Sequence, residues 1–276
     1  MRFMLLMKSD AITEAGVMPD PKLIADMGKF NEEMTQAKVM LAGEGLQASS
    51  KGARVRCNKA TKKITVLEGP FAEPTELAAG YWLIQTKSKN EAIEWAKRAP
   101  IRSGEIEIRP LFELEDFPAD PKQEKPEEWR AKEEALRETM PVQTSRGTKK
   151  MRFVGFVKGG ADSESGELPG GDALEAMGAF VEEGVKAGVF LGGDGLKPTS
   201  AGTTVHFDGA KRTVLDGPFT EAKEIIAGYS ILAVDSKEEA IEWTKRFVLV
   251  DAAIRKIPEV ECEVRQLFEA EDFPAA

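Results

Sequence analysis

The chain repeats itself, and that repeat constrains its fold more than any other feature. Met1-Arg-Phe3 returns as Met151-Arg-Phe153, Met27-Gly-x-Phe30 as Met177-Gly-x-Phe180, and Leu41-Ala-Gly-Glu-Gly-Leu46 as Leu191-Gly-Gly-Asp-Gly-Leu196, all 150 residues apart. The separation becomes 148 at Glu91–Arg98 (EAIEWAKR) against Glu239–Arg246 (EAIEWTKR), and 156 at Glu115–Pro118 against Glu271–Pro274. Blocks that keep step are structural elements, so both changes of step are expected in loops. The 276 residues therefore read as two domains of ordinary size, 1–118 and 151–276. Residues 119–150 form a charged linker with Pro121, Pro126 and Pro141, part helical over Glu127–Glu138.

Within one repeat, Arg2–Lys8 and its twin Arg152–Lys158 are short apolar runs of strand length. Asp20-Pro21 opens a helix whose Leu23, Ile24, Met27, Phe30 and Met34 share one face until Gly43 ends it; Asp172 caps the counterpart. Hairpins follow across Lys59-Ala-Thr61 and Asp208-Gly209. GYWLIQT from Gly80 and GYSILAV from Gly228 are strands, and Ser88 with Glu91 and Ser236 with Glu239 are capping boxes. The last strands, Glu105–Phe112 and Glu261–Phe268, alternate charged and apolar residues as half-exposed strands do. The order β-α-β-β-β-α-β is an α+β, ferredoxin-like unit. Its helices cover one sheet face only, so the two repeats are expected to pack sheet to sheet as an internal pseudo-dimer.

A formal charge of -9 with no dense Lys/Arg stripe speaks against nucleic acid or an anionic membrane as partner, leaving small molecules or protein surfaces. No apolar run approaches bilayer length, and Phe3–Met7 is too short for a secretory signal, so a cytoplasmic chain is expected. Cys57 and Cys262 occupy non-equivalent places and read as free thiols. With one histidine, His206, opposite Asn58 in the other repeat, no metal centre, haem or other cofactor is expected. Phosphate loops, paired cysteines and nucleophile elbows are absent from the sequence.

The densest chemistry lies in Asp216–Glu224 (DGPFTEAKE), repeated with losses as Glu68–Glu76 (EGPFAEPTE). One reading makes Asp216, Glu221, Lys223 and Glu224 line a cleft, with a carboxyl raised in pKa and a lysine orienting an anion. The other has Gly-Pro setting a turn, Phe219 plugging the core and the charges solvated. Glu44 and Asp194 sit between glycines, either aimed into the cleft or merely beside helix caps. Tyr81 and Tyr229 either offer a hydroxyl to a ligand or pack in the core, and Trp95 and Trp243 are core.

Repeat two, with LGGDGL, VLDGPFTEAKE, GYSIL, EAIEWTKR and VRQLF in order, resembles the DGPF branch of the YCII-related family, within the dimeric α+β barrel superfamily. That resemblance implies a barrel of two ferredoxin-like units, here within one chain, with further homodimerisation possible. It also implies a cleft lined by the DGPF and GDGL loops, through Glu44, Asp194, Asp216, Pro218, Phe219, Glu221, Lys223, Glu224 and Tyr229. A small organic molecule is the implied ligand. The alternatives are a cofactor-independent isomerase, lyase or monooxygenase using Asp194, Asp216, Glu221 and Lys223 as acid-base groups, or a protein-interaction module. Repeat one departs from the pattern: Glu68 replaces the aspartate, and Pro74-Thr75 removes the lysine.

Overall fold

The computed structural model describes residues 1–117, 150–219 and 225–273, with Ala131 and Ala135 helical between them. The linker expected over 119–150 therefore lies almost wholly outside the described residues. In chain order the first repeat gives β1 (Arg2–Lys8), α1 (Ala11–Glu14), α2 (Pro21–Gln36), β2 (Met40–Gly45), β3 (Ala53–Asn58), β4 (Ile64–Glu68), β5 (Ala78–Gln85), α3 (Lys89–Lys97) and β6 (Ser103–Pro110). The second gives β7 (Met151–Lys158), α4 (Ala161–Glu164), α5 (Gly171–Lys186), β8 (Phe190–Gly195), β9 (Thr203–Asp208), β10 (Lys211–Asp216), β11 (Ile226–Val234), α6 (Lys237–Ile254) and β12 (Glu259–Gln266). Among the described residues no helix is long and apolar enough to cross a membrane.

Two six-stranded antiparallel sheets result, ordered β10-β9-β6-β1-β5-β2 and β4-β3-β12-β7-β11-β8. The hairpins are exchanged: β9-β10 of the second repeat extends the first sheet through β6, and β3-β4 of the first extends the second through β12. Neither half completes its sheet alone. The sheets pack face to face over one apolar layer that draws Met4, Leu6, Tyr81 and Leu83 from one half and Val154, Phe156, Tyr229 and Ile231 from the other. Burial of each such side chain stabilises by about 1.5–3 kcal/mol. The opposite face of the first sheet buries Phe3, Leu5 and Ile84 with Phe30 and Met34 of α2 and Ile93 of α3, and the second sheet is covered likewise by α5 and α6.

The long strand-to-helix transitions follow the serine caps. Ser88 Oγ accepts from Glu91 N and Ser236 Oγ from Glu239 N. The glutamates reach one residue further back than a capping box requires, to Lys87 N and Asp235 N. Helix α2 stops earlier than its apolar face suggested, at Gln36, because Lys38 turns left-handed at φ 58° and Val39 N closes on Met34 O. The glycines thought to end it lie in β2, an edge strand. A Cβ at Gly43 would stand 2.8 Å from Trp82 Cδ1, so the glycine lets β2 lie against β5. Asp172 falls inside the first turn of α5, whose cap is Gly170.

The second change of step is not in a loop. It lengthens a helix, from 9 residues in α3 to 18 in α6. The extension buries Asp251 at 6% exposure, with its Oδ2 lacking a hydrogen bond among the described residues. Burial pushes this carboxyl up to about 6, only partly opposed by Arg255 at 3.8 Å, which is already held by Asp162. Folded Asp251 thus holds a proton that the unfolded chain releases between about pH 4 and 6, and its penalty is full only above that window. Asp251→Asn should raise stability by about 2–3 kcal/mol at pH 8 and hardly at all at pH 4, read from urea unfolding at both. An equal gain at the two pH values would refute the account.

Candidate functional site

The charged alternation of β12 faces water only at its start, at Glu259 and partly Glu261. Glu263 and Arg265 are 1% and 0% exposed, as are Glu107 and Arg109 of β6 at 5% and 1%, so the strands expected to be half-exposed are covered on both faces over their second halves. The exchanged hairpin explains this. Register sets Glu263 opposite Arg54 and Glu261 opposite Arg56, cross-strand pairs of opposite charge contributed by different repeats. Arg54 Nη2 lies 2.8 Å from Glu263 Oε2, Lys158 Nζ 3.0 Å from the same oxygen, and Arg265 Nη1 3.2 Å from Glu263 Oε1. Arg265 Nη2 also donates to Glu14 Oε1 at 2.9 Å. Burial alone would push the Glu263 carboxyl up, but Lys158, Arg265 and Arg54 together bring it down to about 2. It is a permanent anion below a ring of cations.

Above it opens a cleft of about 220 Å³, lined by Arg54, Arg56, Lys158, Gly159, Ile225, Ile257, Glu259 and Glu261. Arg56 is the most open of its cations, with a side chain 40% exposed, against 10% for Arg54 and 13% for Lys158. Its Nε donates to Glu261, and its terminal nitrogens make no hydrogen bond among the described residues. Arg54 stacks over the Phe71 ring at 4.3 Å, so the degenerate GPF copy of repeat one supports a cation whose neighbour across the cleft, Ile225, follows the intact copy of repeat two.

The corresponding place in the other half keeps the scaffold and changes the charges. Lys8 Nζ lies 3.1 Å from Glu107 Oε2 and Arg109 Nη1 2.9 Å from Glu107 Oε1, reproducing the buried centre. Register, however, puts Thr204 and His206 where Arg54 and Arg56 stand, so the counterpart of His206 is Arg56 and not Asn58, which matches Asp208. His206 Nε2 is 3.0 Å from Glu105 Oε2.

The residues singled out from sequence fall into separate places. Asp216 ends β10 on the surface, its carboxyl held below the usual range by hydrogen bonds from Lys89 Nζ at 2.9 Å and Thr203 Oγ1 at 2.8 Å. Glu68 meets Lys237 in the same way. Both pairs join one repeat to the other. Gly217-Pro218 and Gly69-Pro70 are cis peptides that fold the chain back on the turns at Thr199–Ala201 and Ser49–Lys51, where Phe219 N donates to Thr199 Oγ1 and Phe71 N to Ser49 Oγ. Phe71 is buried; Phe219 is half-buried, with a threonine rather than an arginine at the position matching Arg54. Glu221, Lys223 and Glu224 lie outside the described residues.

Glu44 and Asp194 lie in β2 and β8, not at helix ends, each opposite a tyrosine: Glu44 with Tyr81, Asp194 with Tyr229. Arg152 grips Glu44 at 2.5 and 3.1 Å, and Arg2 holds Asp194 Oδ2 at 2.9 Å. Tyr229 donates to Asp194 at 3.3 Å, whereas the Tyr81 hydroxyl has no hydrogen-bond partner among the described residues. Burial, then the charge of Glu44, pushes that hydroxyl well above the usual phenol range. The two rings are 6.1 Å apart in the inter-sheet layer. Asp194 and Asp216 belong to outermost strands of different sheets. Sequence reasoning missed Arg54, Arg56, Lys158 and Glu263. The signal was present, as an acidic alternation at Glu259, Glu261 and Glu263 and a basic one at Arg54 and Arg56, but it pairs only once the hairpin is known to cross over.

Cys57 and Cys262 are free and buried. Among the described residues no group of three or more His, Cys, Asp or Glu could hold a metal ion. No curated protein matches the chain. The model of the YCII-related domain matches residues 1–115 and again residues 151–261. With most of its length accounted for by two successive matches, and with two ferredoxin-like units packed sheet to sheet, the chain belongs to the YCII-related domain family as a tandem pair.

Proposed function

We propose that this protein binds a small organic molecule in the cleft between β3, β7 and β12. The carrying observation is the cleft itself, where Arg54, Arg56, Lys158, Glu259 and Glu261 converge beside Ile225 and Ile257, and where Arg54 and Lys158 also pair with the buried, ionised Glu263. Five of its eight lining residues are charged, so a polar or ionised ligand suits it better than an apolar one. Its volume of about 220 Å³ lies below the ~300–1,000 Å³ of drug-sized pockets, which favours a compact metabolite. Ile225, the residue that follows the DGPF segment, borders this recess, while Asp216 itself ties β10 to α3 through Lys89.

A metabolite library screened by ligand-observed NMR supplies the test. Ile225→Trp, which fills the recess while keeping the backbone bond from Gly159 N to Ile225 O, should abolish binding of any hit with the melting temperature within a few degrees of wild type. Asp216→Asn should leave the same hit bound. Retention of binding by Ile225→Trp, or its loss in Asp216→Asn, would place the ligand elsewhere.

A further inference from the structure

The two halves offer different charges at equivalent places. Among the described residues of the second-sheet site four cations, Arg54, Arg56, Lys158 and Arg265, face four carboxylates, Glu14, Glu261, Glu263 and, exposed at the rim, Glu259. In the first-sheet counterpart only Lys8 and Arg109 are permanently charged cations, against Glu105, Glu107 and Glu164. The cations differ through the hairpins, Arg54 and Arg56 in one and Thr204 and His206 in the other, while Glu259 of β12 has Ser103 as its counterpart in β6. From this we infer that the chain takes one equivalent of a small organic dianion of the dicarboxylate class, held by Arg56 with Lys158 and Arg54, in a composite site built by both repeats. The inference rests on the cleft being the binding site.

The chemistry favours a carboxylate for three reasons. A guanidinium presents two parallel N–H donors that match a planar carboxylate, and Arg56 has its terminal nitrogens unengaged among the described residues. Lys158 and Arg54 add positive potential from partly covered positions, where solvent screening is weaker than at the open surface. Ile225 and Ile257 then suit a short carbon backbone between the charged ends. In the other half the acidic excess repels the same molecule, so the counterpart stays empty of it.

Isothermal titration of the full chain with malonate, against its neutral isostere malonamide, tests the inference. Malonate should bind with a stoichiometry of one and weaken as sodium chloride is raised, and malonamide should not bind. Arg56→Leu should weaken malonate by about tenfold or more, the loss of a charge-assisted bidentate contact, and Arg56→Lys should fall between. His206→Leu should change neither affinity nor stoichiometry. Two equivalents, a dependence on His206, equal binding of malonamide, or wild-type affinity in a folded Arg56→Leu would each overturn the inference while leaving the cleft as a site. Failure of the wild type to bind malonate also overturns it, and the library screen with Ile225→Trp then decides the cleft separately.

Discussion

Gly217→Ala should be among the most damaging single substitutions this protein can carry, and Gly69→Ala should match it. A Cβ on Gly217 would stand 1.9 Å from Thr199 O and 2.7 Å from Thr199 C; on Gly69 it would stand 1.9 Å from Ser49 O. Those are backbone atoms of the turns that carry Gly202 and Gly52, whose carbonyls accept from Gly217 N and Gly69 N at 3.2 Å, so relief of the clash breaks the contact that anchors each hairpin end. A cost on the order of 4 kcal/mol or more follows, a large share of the ~5–15 kcal/mol that folded chains possess. In thermal unfolding each variant should melt on the order of 10 °C below wild type. Gly178→Ala is the control: it lies within α5 with nothing within 4 Å, and should stabilise by about 0.5–1 kcal/mol. A Gly217→Ala protein melting within two or so degrees of wild type would show that the GPF glycine is dispensable.

The second large effect concerns Glu263. Glu263→Gln removes the one anion shared by Lys158, Arg54 and Arg265 while leaving the shape nearly unchanged, and breaking a buried pair in this way costs about 3–5 kcal/mol. The pH dependence is specific. A folded carboxyl brought down to about 2 contributes stability that is present above its unfolded value near 4.5 and lost as the pH falls from there toward 2. The gap between wild type and Glu263→Gln in urea unfolding should therefore be widest at pH 6–8 and shrink at pH 3. A gap that stayed constant across that range would mean that packing, rather than charge, sets the cost.

How far the chain could be read before folding depended on where its partners lay. Ser88, Ser236 and the apolar faces of α2 and β5 act over a few residues or against whatever covers them, so elements and sheet-to-sheet packing were legible. The crossover was not, because nothing in the residues of β3 says whether its neighbour is β6 or β12; register is decided only when Arg54 finds Glu263. The same blindness hid the cleft. Arginines on a hairpin and glutamates some 200 positions later look like two solvated stripes until they face each other. Glu44 and Asp194 misled for a different reason: glycine serves a helix end and a tight edge strand equally, and Trp82 rather than a cap selects the glycine at 43.

The traded hairpins make each copy answerable for its sibling. Cut the gene between them and either fragment would present a bare row of amides and carbonyls along β6 or β12, an invitation to aggregate rather than half a working molecule. Decay of the first DGPF copy is bounded for the same reason. Its Phe71 stacks on Arg54, which pairs with Glu263 of the second repeat, so loss of that ring would be felt across the join.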